Sequence, residues 1–231
     1  MLSADPLLLN EKRKLTRLRS DLLRWAKREG RDLPWRRPEA KPYEQVVVEV
    51  LLQRTTAAAV VRFYYSFFER FPEWESLASA EVEELEEFIR PLGLWRRRAT
   101  ALLGLARYAV AAGANFPKNQ REHASIPAVG QYVSNAIAMF YHDQPRPLID
   151  VNMARVIERL VRPRRLADIR HDPWLQEAAQ WLVACNDARA VNWAVLDFAA
   201  LVCKARDPLC GSCPVRTRCA YFRRVTSLPS S

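Results

Sequence analysis

Apolar residues recur every three or four positions along nearly the whole sequence, and no sustained alternation of apolar and polar residues is present. This period predicts an all-α protein. Helices are expected over residues 8–29, 42–54, 57–70, 81–90, 95–112, 120–125, 131–141, 152–161, 173–185 and 188–202. Gly30 is expected to end the first of these helices, and Ser79 to cap the fourth at its N-terminus. Between two helices, residues 126–130 end in glycine, which predicts a helix-hairpin-helix.

The charge of the chain indicates a polyanionic partner. Lysine and arginine number 36 against 26 aspartate and glutamate, which gives a net charge of +10. Nucleic acid is the favoured partner of such a chain, and a basic face that only contacts solvent is the alternative. No apolar run approaches the ~18 residues of a membrane span, and the first residues lack the pattern of a secretory signal. We therefore expect a cytoplasmic, nucleoid-associated protein without membrane contact.

Four of the five cysteines lie close together with the spacing Cys-x6-Cys-x2-Cys-x5-Cys. They are Cys203, Cys210, Cys213 and Cys219. This spacing predicts a metal site, either a four-thiolate zinc site or a [4Fe–4S] cluster. Because only one Cys-x2-Cys arm is present, where zinc sites usually have two, the pattern favours the iron–sulfur cluster. Cys185 stands alone on an apolar segment and is expected to be a core residue.

Five features of the sequence match one known family. They are the cysteine spacing, the hairpin 126–130 followed twenty residues on by Asp150, and the segments 191–197, 31–36 and 49–56. Together they resemble the endonuclease III and MutY branch of the helix-hairpin-helix DNA glycosylases. Segments 31–36 and 49–56 are similar to those of MutY and of the thymine-DNA mismatch glycosylases.

The resemblance implies a two-lobed, endonuclease III-like fold. Residues 36–150 would form a six-helix barrel with the helix-hairpin-helix, and residues 1–35 and 151–231 would form a lobe around a structural [4Fe–4S] cluster. The implied partner is double-stranded DNA with a mismatched or damaged base, bound by a monomer of this chain.

The resemblance also implies catalytic residues. A glycosylase extrudes the target nucleotide and stabilises an oxocarbenium-like transition state, which requires a carboxylate. Asp150 is the candidate, and N-capping of the following helix is a second role that can coexist with catalysis. Glu49, isolated on an apolar helix, is a second acid, or else one exposed residue. Tyr132 stands where bifunctional members have a Schiff-base lysine, which predicts an enzyme without lyase activity. The Tyr132 ring would pack against the extruded nucleotide, or else it is a core aromatic.

A further set of residues is expected to contact DNA. Backbone amides near Ala128, Val129 and Gly130 would bind a phosphate. The resemblance implies that the loop 204–209 presents Lys204 and Arg206 to further phosphates. Gln53 and Leu94 would fill the gap left by the extruded base, with Arg54 on the same loop as Gln53. Both wedge assignments are also consistent with plain packing. The family pattern has glycine where Ala128 stands, so a positive φ there would be strained.

The resemblance leaves the substrate open. Residues 93–95 read Gly-Leu-Trp where MutY-like enzymes typically show Gly-Tyr-Tyr, and the sequence ends about a dozen residues after Cys219, where those enzymes have a further domain. Both features favour hydrolytic removal of thymine or uracil opposite guanine. The alternatives are an adenine glycosylase acting opposite guanine or 8-oxoguanine and a non-catalytic iron–sulfur DNA-binding protein, against which retention of Asp150 argues.

Overall fold

The computed structural model describes residues 6–227, and every regular element in that range is helical, which confirms the predicted all-α class. The α-helices are α1 (Leu9–Glu29), α2 (Pro42–Leu51), α3 (Ala57–Arg70), α4 (Trp74–Ala78), α5 (Val82–Ile89), α6 (Trp95–Ala111), α7 (Gln131–His142), α8 (Val151–Leu160), α9 (Pro173–Val183), α10 (Ala188–Leu201) and α11 (Ala220–Thr226). Over the same residues, no helix has the length and hydrophobicity needed to cross a membrane.

Helix α2 is shorter than predicted because the chain turns before Arg54. Pro42 begins the helix with a φ suited to a first turn, and the helix ends at Leu51. Arg54 has a left-handed backbone with φ 58°, which a helix cannot continue through. Thr56 then caps α3, since its hydroxyl accepts a hydrogen bond from the Ala59 N–H at 3.3 Å. The predicted helix end at residue 54 is therefore wrong.

The segment around Ser79 also differs from the prediction. Helix α4 was not predicted, because five residues are too few to show a helical period. Ser79 ends α4 and donates its N–H to the Glu75 carbonyl at 3.1 Å, whereas Glu81 is the N-cap of α5. The predicted capping role of Ser79 is therefore wrong. Residues 120–125 contain a 3-10 turn at Glu122–Ser125 instead of an α-helix, and α11 was not predicted.

The chain forms two compact units, and the continuous unit is Asp32–Gln144. At its centre α2 packs against α3, α6 and α7, and Val46, Val47 and Val48 are fully buried. Helix α6 approaches the hairpin closely at Gly104, where an added Cβ would lie 2.9 Å from the Cβ of Pro127. This glycine therefore allows α6 and the hairpin to pack together.

The second, split unit contains the described residues up to Arg31 and from Pro145 onward. Helix α1 packs against α9 and α10, and its buried face includes Leu15, Leu18 and Leu22. Arg31, just after α1, donates its N–H to Asp197 Oδ2 at 2.9 Å and its Nε–H to Oδ1 at 2.6 Å. Because Asp197 lies on α10 and is 1% exposed, this pair fixes the end of α1 to the core of the unit. The division into a six-helix barrel at 36–150 and a cluster lobe stays a prediction.

Candidate functional site

A buried carboxylate lies beside a tyrosine in the continuous unit. Glu49 on α2 is 2% exposed, which rules out the interpretation of an exposed residue. Tyr132, in the first turn of α7, donates its hydroxyl hydrogen to Glu49 Oε2 at 2.6 Å. Helices α2 and α7 pack directly against each other, so this contact is set by the core. A carboxylate buried with a hydroxyl donor is costly to retain, and such groups are concentrated at functional sites.

Four residues predicted to contact DNA surround one pocket of about 580 Å³ in the continuous unit. They are Gln53, Arg54, Leu94 and Ala128, from the turn after α2, the start of α6 and the hairpin. All four are exposed, and Leu94 retains half of its accessible surface. Arg97 and Arg98 line the same pocket, so its walls combine apolar side chains with positive charge.

The backbone around this pocket is strained at three positions. Arg54, Leu94 and Ala128 have φ values of 58°, 52° and 60°. Left-handed backbone costs about 1–2 kcal/mol for each residue with a Cβ, and it persists where the surroundings hold it in place. The positive φ at Ala128 explains why glycine is the ordinary residue in the family pattern at that position.

The hairpin presents the start of α7. Gly130 is the N-cap and has no side chain with which to close the helix end. A helix N-terminus of this kind attracts anions through its backbone N–H groups and its dipole. Within the turn, the Val129 N–H donates to the Ile126 carbonyl at 3.2 Å, so that amide is engaged by the hairpin itself.

In the split unit, Asp150 is the N-cap of α8. Its Oδ1 accepts hydrogen bonds from the Asn152 N–H at 2.9 Å and the Met153 N–H at 2.8 Å. Its Oδ2 accepts from Asn152 Nδ2 at 2.5 Å. The capping role considered for Asp150 is therefore present, and it fixes the orientation of the carboxylate. The residue as a whole is half-buried.

Hydrogen bonds continue from Asp150 along α8 to the cysteine segment. Arg155 Nη2 donates to Asn152 Oδ1 at 3.0 Å, and Arg155 Nε donates to the Cys203 carbonyl at 2.9 Å. Burial lowers the pKa of the Arg155 guanidinium, which is held mainly by neutral acceptors. Two side chains thus join the candidate catalytic carboxylate to the first cysteine of the cluster.

The four clustered cysteines line one small cavity in the split unit, about 30 Å³ in volume and otherwise walled largely by apolar side chains. Burial raises the pKa of the Cys213 thiol to about 11, with neighbouring cysteines adding to the effect. A cation is therefore needed to stabilise its thiolate at neutral pH. Among the described residues, no three His, Cys, Asp or Glu side chains converge as they would on one metal ion. The cavity nevertheless places all four thiols around one space, as a metal group with thiolate ligands requires.

Arg159 fixes the loop that follows Cys203. Its Nη1 donates to the Lys204 carbonyl at 2.6 Å, and its Nη2 donates to the Ala205 carbonyl at 3.0 Å. The side chains of Lys204 and Arg206 are exposed. The loop therefore presents two cationic side chains to solvent, while two hydrogen bonds from Arg159 fix its backbone.

Three arginines that organise these sites are missing from the sequence prediction. They are Arg98, Arg155 and Arg159. Arg155 and Arg159 lie on α8 among mostly apolar residues, which is a signal that a basic residue is not simply on the surface. Arg98 follows two further arginines, which conceals the same signal at that position.

Known proteins resemble this chain in sequence and structure. A family model described as "HhH-GPD superfamily base excision DNA repair protein" matches residues 47–171. The thymine-DNA glycosylase of Aeropyrum pernix is 36% identical over 221 residues, or 94% of this chain and 99% of that protein. A structure of a thermostable thymine-DNA glycosylase has a TM-score of 0.79 and 29% identity, covering 92% of this chain and 98% of the other. A non-covalent complex of endonuclease III with DNA has a TM-score of 0.75 at 22% identity, covering 94% of this chain and 99% of that chain, which confirms the predicted fold.

Proposed function

The chain belongs to the HhH-GPD superfamily of base excision DNA repair proteins, and we propose that it is a monofunctional DNA glycosylase that removes thymine or uracil opposite guanine. The similarity to thymine-DNA glycosylases over nearly the full length supports this choice of base. Uracil is thymine without its methyl group, so a pocket that accepts thymine has room for it. The product is an abasic site in an otherwise intact strand.

The main structural support for this proposal is the hydrogen bond between Tyr132 and Glu49. In the bifunctional enzymes that the chain resembles, the residue two positions past the last hairpin glycine is a lysine that forms a Schiff base. Tyrosine has no amine, so this position leaves water as the nucleophile. The buried Glu49 carboxyl, held by the phenol, is suited to hold or transfer a proton at the departing base.

Asp150 supplies the negative charge that the sugar requires. Cleavage of the N-glycosidic bond develops positive charge on the deoxyribose. Three hydrogen bonds already orient the Asp150 carboxylate, so little reorganisation is needed when that charge appears. The N-cap role and the catalytic role therefore support each other.

The strained pocket is the proposed duplex contact. Gln53 and Leu94 enter the space left by the extruded nucleotide, and Arg54 contacts the same region of the DNA.

The hairpin from Ala128 to Gly130 binds a phosphate at the start of α7. The Val129 amide is used within the turn, where it donates to the Ile126 carbonyl. The exposed Lys204 and Arg206 contact further phosphates, and a single chain provides all of these groups.

Labelled duplexes containing G·T, G·U or adenine opposite 8-oxoguanine test the proposed function, each incubated with and without hot alkali. We expect cleaved product from G·T and G·U, and only after alkali, because an abasic site breaks without enzyme only under those conditions. Product mainly from adenine opposite 8-oxoguanine would assign the chain to the adenine enzymes. Strand cleavage without alkali would reveal a lyase amine, and no product from any duplex would leave the non-catalytic DNA-binding alternative.

We also propose that the four clustered cysteines hold a [4Fe–4S] cluster. The support is the cavity that Cys203, Cys210, Cys213 and Cys219 line together. When bound, such a cluster supplies covalent cross-links between chain segments, which would fix the Lys204–Arg206 loop. Asp150 and Glu49 perform bond cleavage without it.

Purified protein is expected to be brown and to contain about four iron and four sulfide per chain. Cys213→Ser should lose most of the iron and the colour, because one of the cavity thiols is removed. Cys185→Ser is the matched control and should keep both, since Cys185 lies apart from the cavity, against the core of the split unit. A colourless protein with one zinc per chain would contradict the cluster assignment.

Ala128→Gly is expected to raise the free energy of unfolding by up to about 1 kcal/mol, because glycine removes the strain of the left-handed backbone. Urea denaturation measures the change. Ala58→Gly is the control, since Ala58 is an exposed residue in the first turn of α3 and its replacement should lower the free energy of unfolding by up to about 1 kcal/mol. Equal destabilisation by both variants would show that Ala128 is not strained.

A further inference from the structure

A buried arginine joins the two loops that carry the proposed wedge residues. Arg98 on α6 is 4% exposed. Its Nη2 donates to the Gln53 carbonyl and to Thr55 Oγ1, both at 2.8 Å. Its Nη1 donates to the Leu92 carbonyl at 3.1 Å and to the Gly93 carbonyl. One guanidinium therefore binds the turn after α2 and the turn before α6 at the same time.

The partners of Arg98 are unusual for a buried cation. All four acceptors are backbone carbonyls or a hydroxyl, and none is a carboxylate. Burial lowers the pKa of this guanidinium, as expected where no opposite charge offsets the lost hydration. A buried ion pair would be the ordinary reason to retain an arginine here, and it is not the reason at this position.

The two loops that Arg98 joins contain two of the three strained residues around the pocket. Arg54 and Leu94 both have left-handed backbone, and each is adjacent to a residue whose carbonyl Arg98 binds. The Thr55 hydroxyl adds a hydrogen bond to the Leu92 carbonyl at 3.3 Å, across the same two loops. Strained backbone persists where the surrounding structure holds it in place, and Arg98 contributes four hydrogen bonds to that structure here.

We propose that Arg98 is a positioning residue that holds the Gln53–Arg54 turn and the Leu94 turn in the shape needed to replace an extruded base. The inference rests on the proposed glycosylase function. Arg98 would act on the step in which the nucleotide leaves the duplex. Loops that are already fixed lose little conformational entropy when their side chains enter the DNA. Arg98 does not bind the proposed catalytic residues Glu49, Tyr132 and Asp150. Excision of a nucleotide that leaves the stack easily should therefore depend less on Arg98 than excision of a paired nucleotide does.

Arg98→Met tests this role, because methionine keeps much of the apolar volume and removes every donor. With uracil opposite guanine, we expect single-turnover excision to fall about 100-fold. With uracil opposite an abasic analogue, where no base pair has to be broken, the loss should be only a few-fold. Arg98→Lys should recover part of the activity, since lysine keeps the charge but cannot bridge both loops with a planar fork. Arg107→Met, on the exposed face of α6, should retain full activity on both duplexes.

Amide hydrogen exchange of the free protein provides a readout without activity. The N–H groups of Gln53, Thr55 and Gly93 are hydrogen-bonded within the two turns and should exchange faster in Arg98→Met, while α2 and α7 stay protected. Equal losses on both duplexes, or unchanged exchange in the two turns, would overturn the positioning role. If wild-type protein excises no base from any duplex, the proposed function fails, and the exchange result still decides whether Arg98 orders the turns.

Discussion

Asp150→Asn is expected to reduce single-turnover excision of uracil opposite guanine by about 10³-fold while leaving affinity for the same duplex equal or higher. Asparagine caps helices about as well as aspartate, so the start of α8 should keep its structure. What disappears is the negative charge opposite the developing sugar cation, together with the one hydrogen bond that Oδ2 accepts from Asn152 Nδ2. Removing a carboxylate from a surface that binds phosphates also removes a repulsion, which is why binding should not weaken.

Rapid mixing of excess enzyme with labelled duplex measures the excision step, and fluorescence anisotropy measures binding. Asp172→Asn is the matched control, because Asp172 caps α9 through the Leu175 N–H and is 1% exposed. That variant should lose about 1–3 kcal/mol of stability, since the buried carboxylate accepts several backbone N–H bonds, yet folded molecules should excise normally. Near-normal excision by Asp150→Asn would remove Asp150 from the mechanism.

Local patterns predicted most helices, and they failed where a helix is too short to show a period or where a distant residue determines the backbone. Helix α3 begins and ends where its period indicates, because Thr56 caps it and its apolar face is continuous. The end of α2 was misplaced because the turn at Arg54 depends on Arg98, which lies 45 residues from the Gln53 carbonyl that it binds. A propensity argument has no access to a contact of that separation.

The candidate site likewise combines motifs that are local in sequence with contacts between residues that are far apart in sequence. The cysteine spacing and the hairpin are local in sequence, so they could be recognised and assigned a chemistry directly. The pairing of Tyr132 with Glu49 joins residues 83 positions apart, and it depends on how α2 packs against α7. Sequence could identify Glu49 as anomalous on an apolar helix, but only packing reveals its partner. The same holds for Arg155, which reaches Cys203 across 48 positions.

Glu49→Gln is expected to lower excision of uracil opposite guanine by about 100-fold, because the variant cannot donate or hold a proton at the leaving base. Tyr132→Phe should cause a smaller loss, about ten-fold, since it removes one hydrogen bond to the carboxylate and leaves the acid in place. The two changes act on one contact, so their combined effect should be smaller than the product of the separate effects.

The identity of the leaving base separates proton transfer from a purely structural role of Glu49. 5-Fluorouracil departs more readily as an anion than uracil does, so its excision depends less on an acid. Glu49→Gln should therefore lose much less activity on 5-fluorouracil opposite guanine than on uracil. Glu44→Gln is the control, because Glu44 also lies on α2 and accepts a hydrogen bond from the Tyr64 hydroxyl. That variant should act on both bases at the wild-type rate. Equal losses on both bases by Glu49→Gln would mean that the Glu49–Tyr132 pair only supports the packing of α2 against α7.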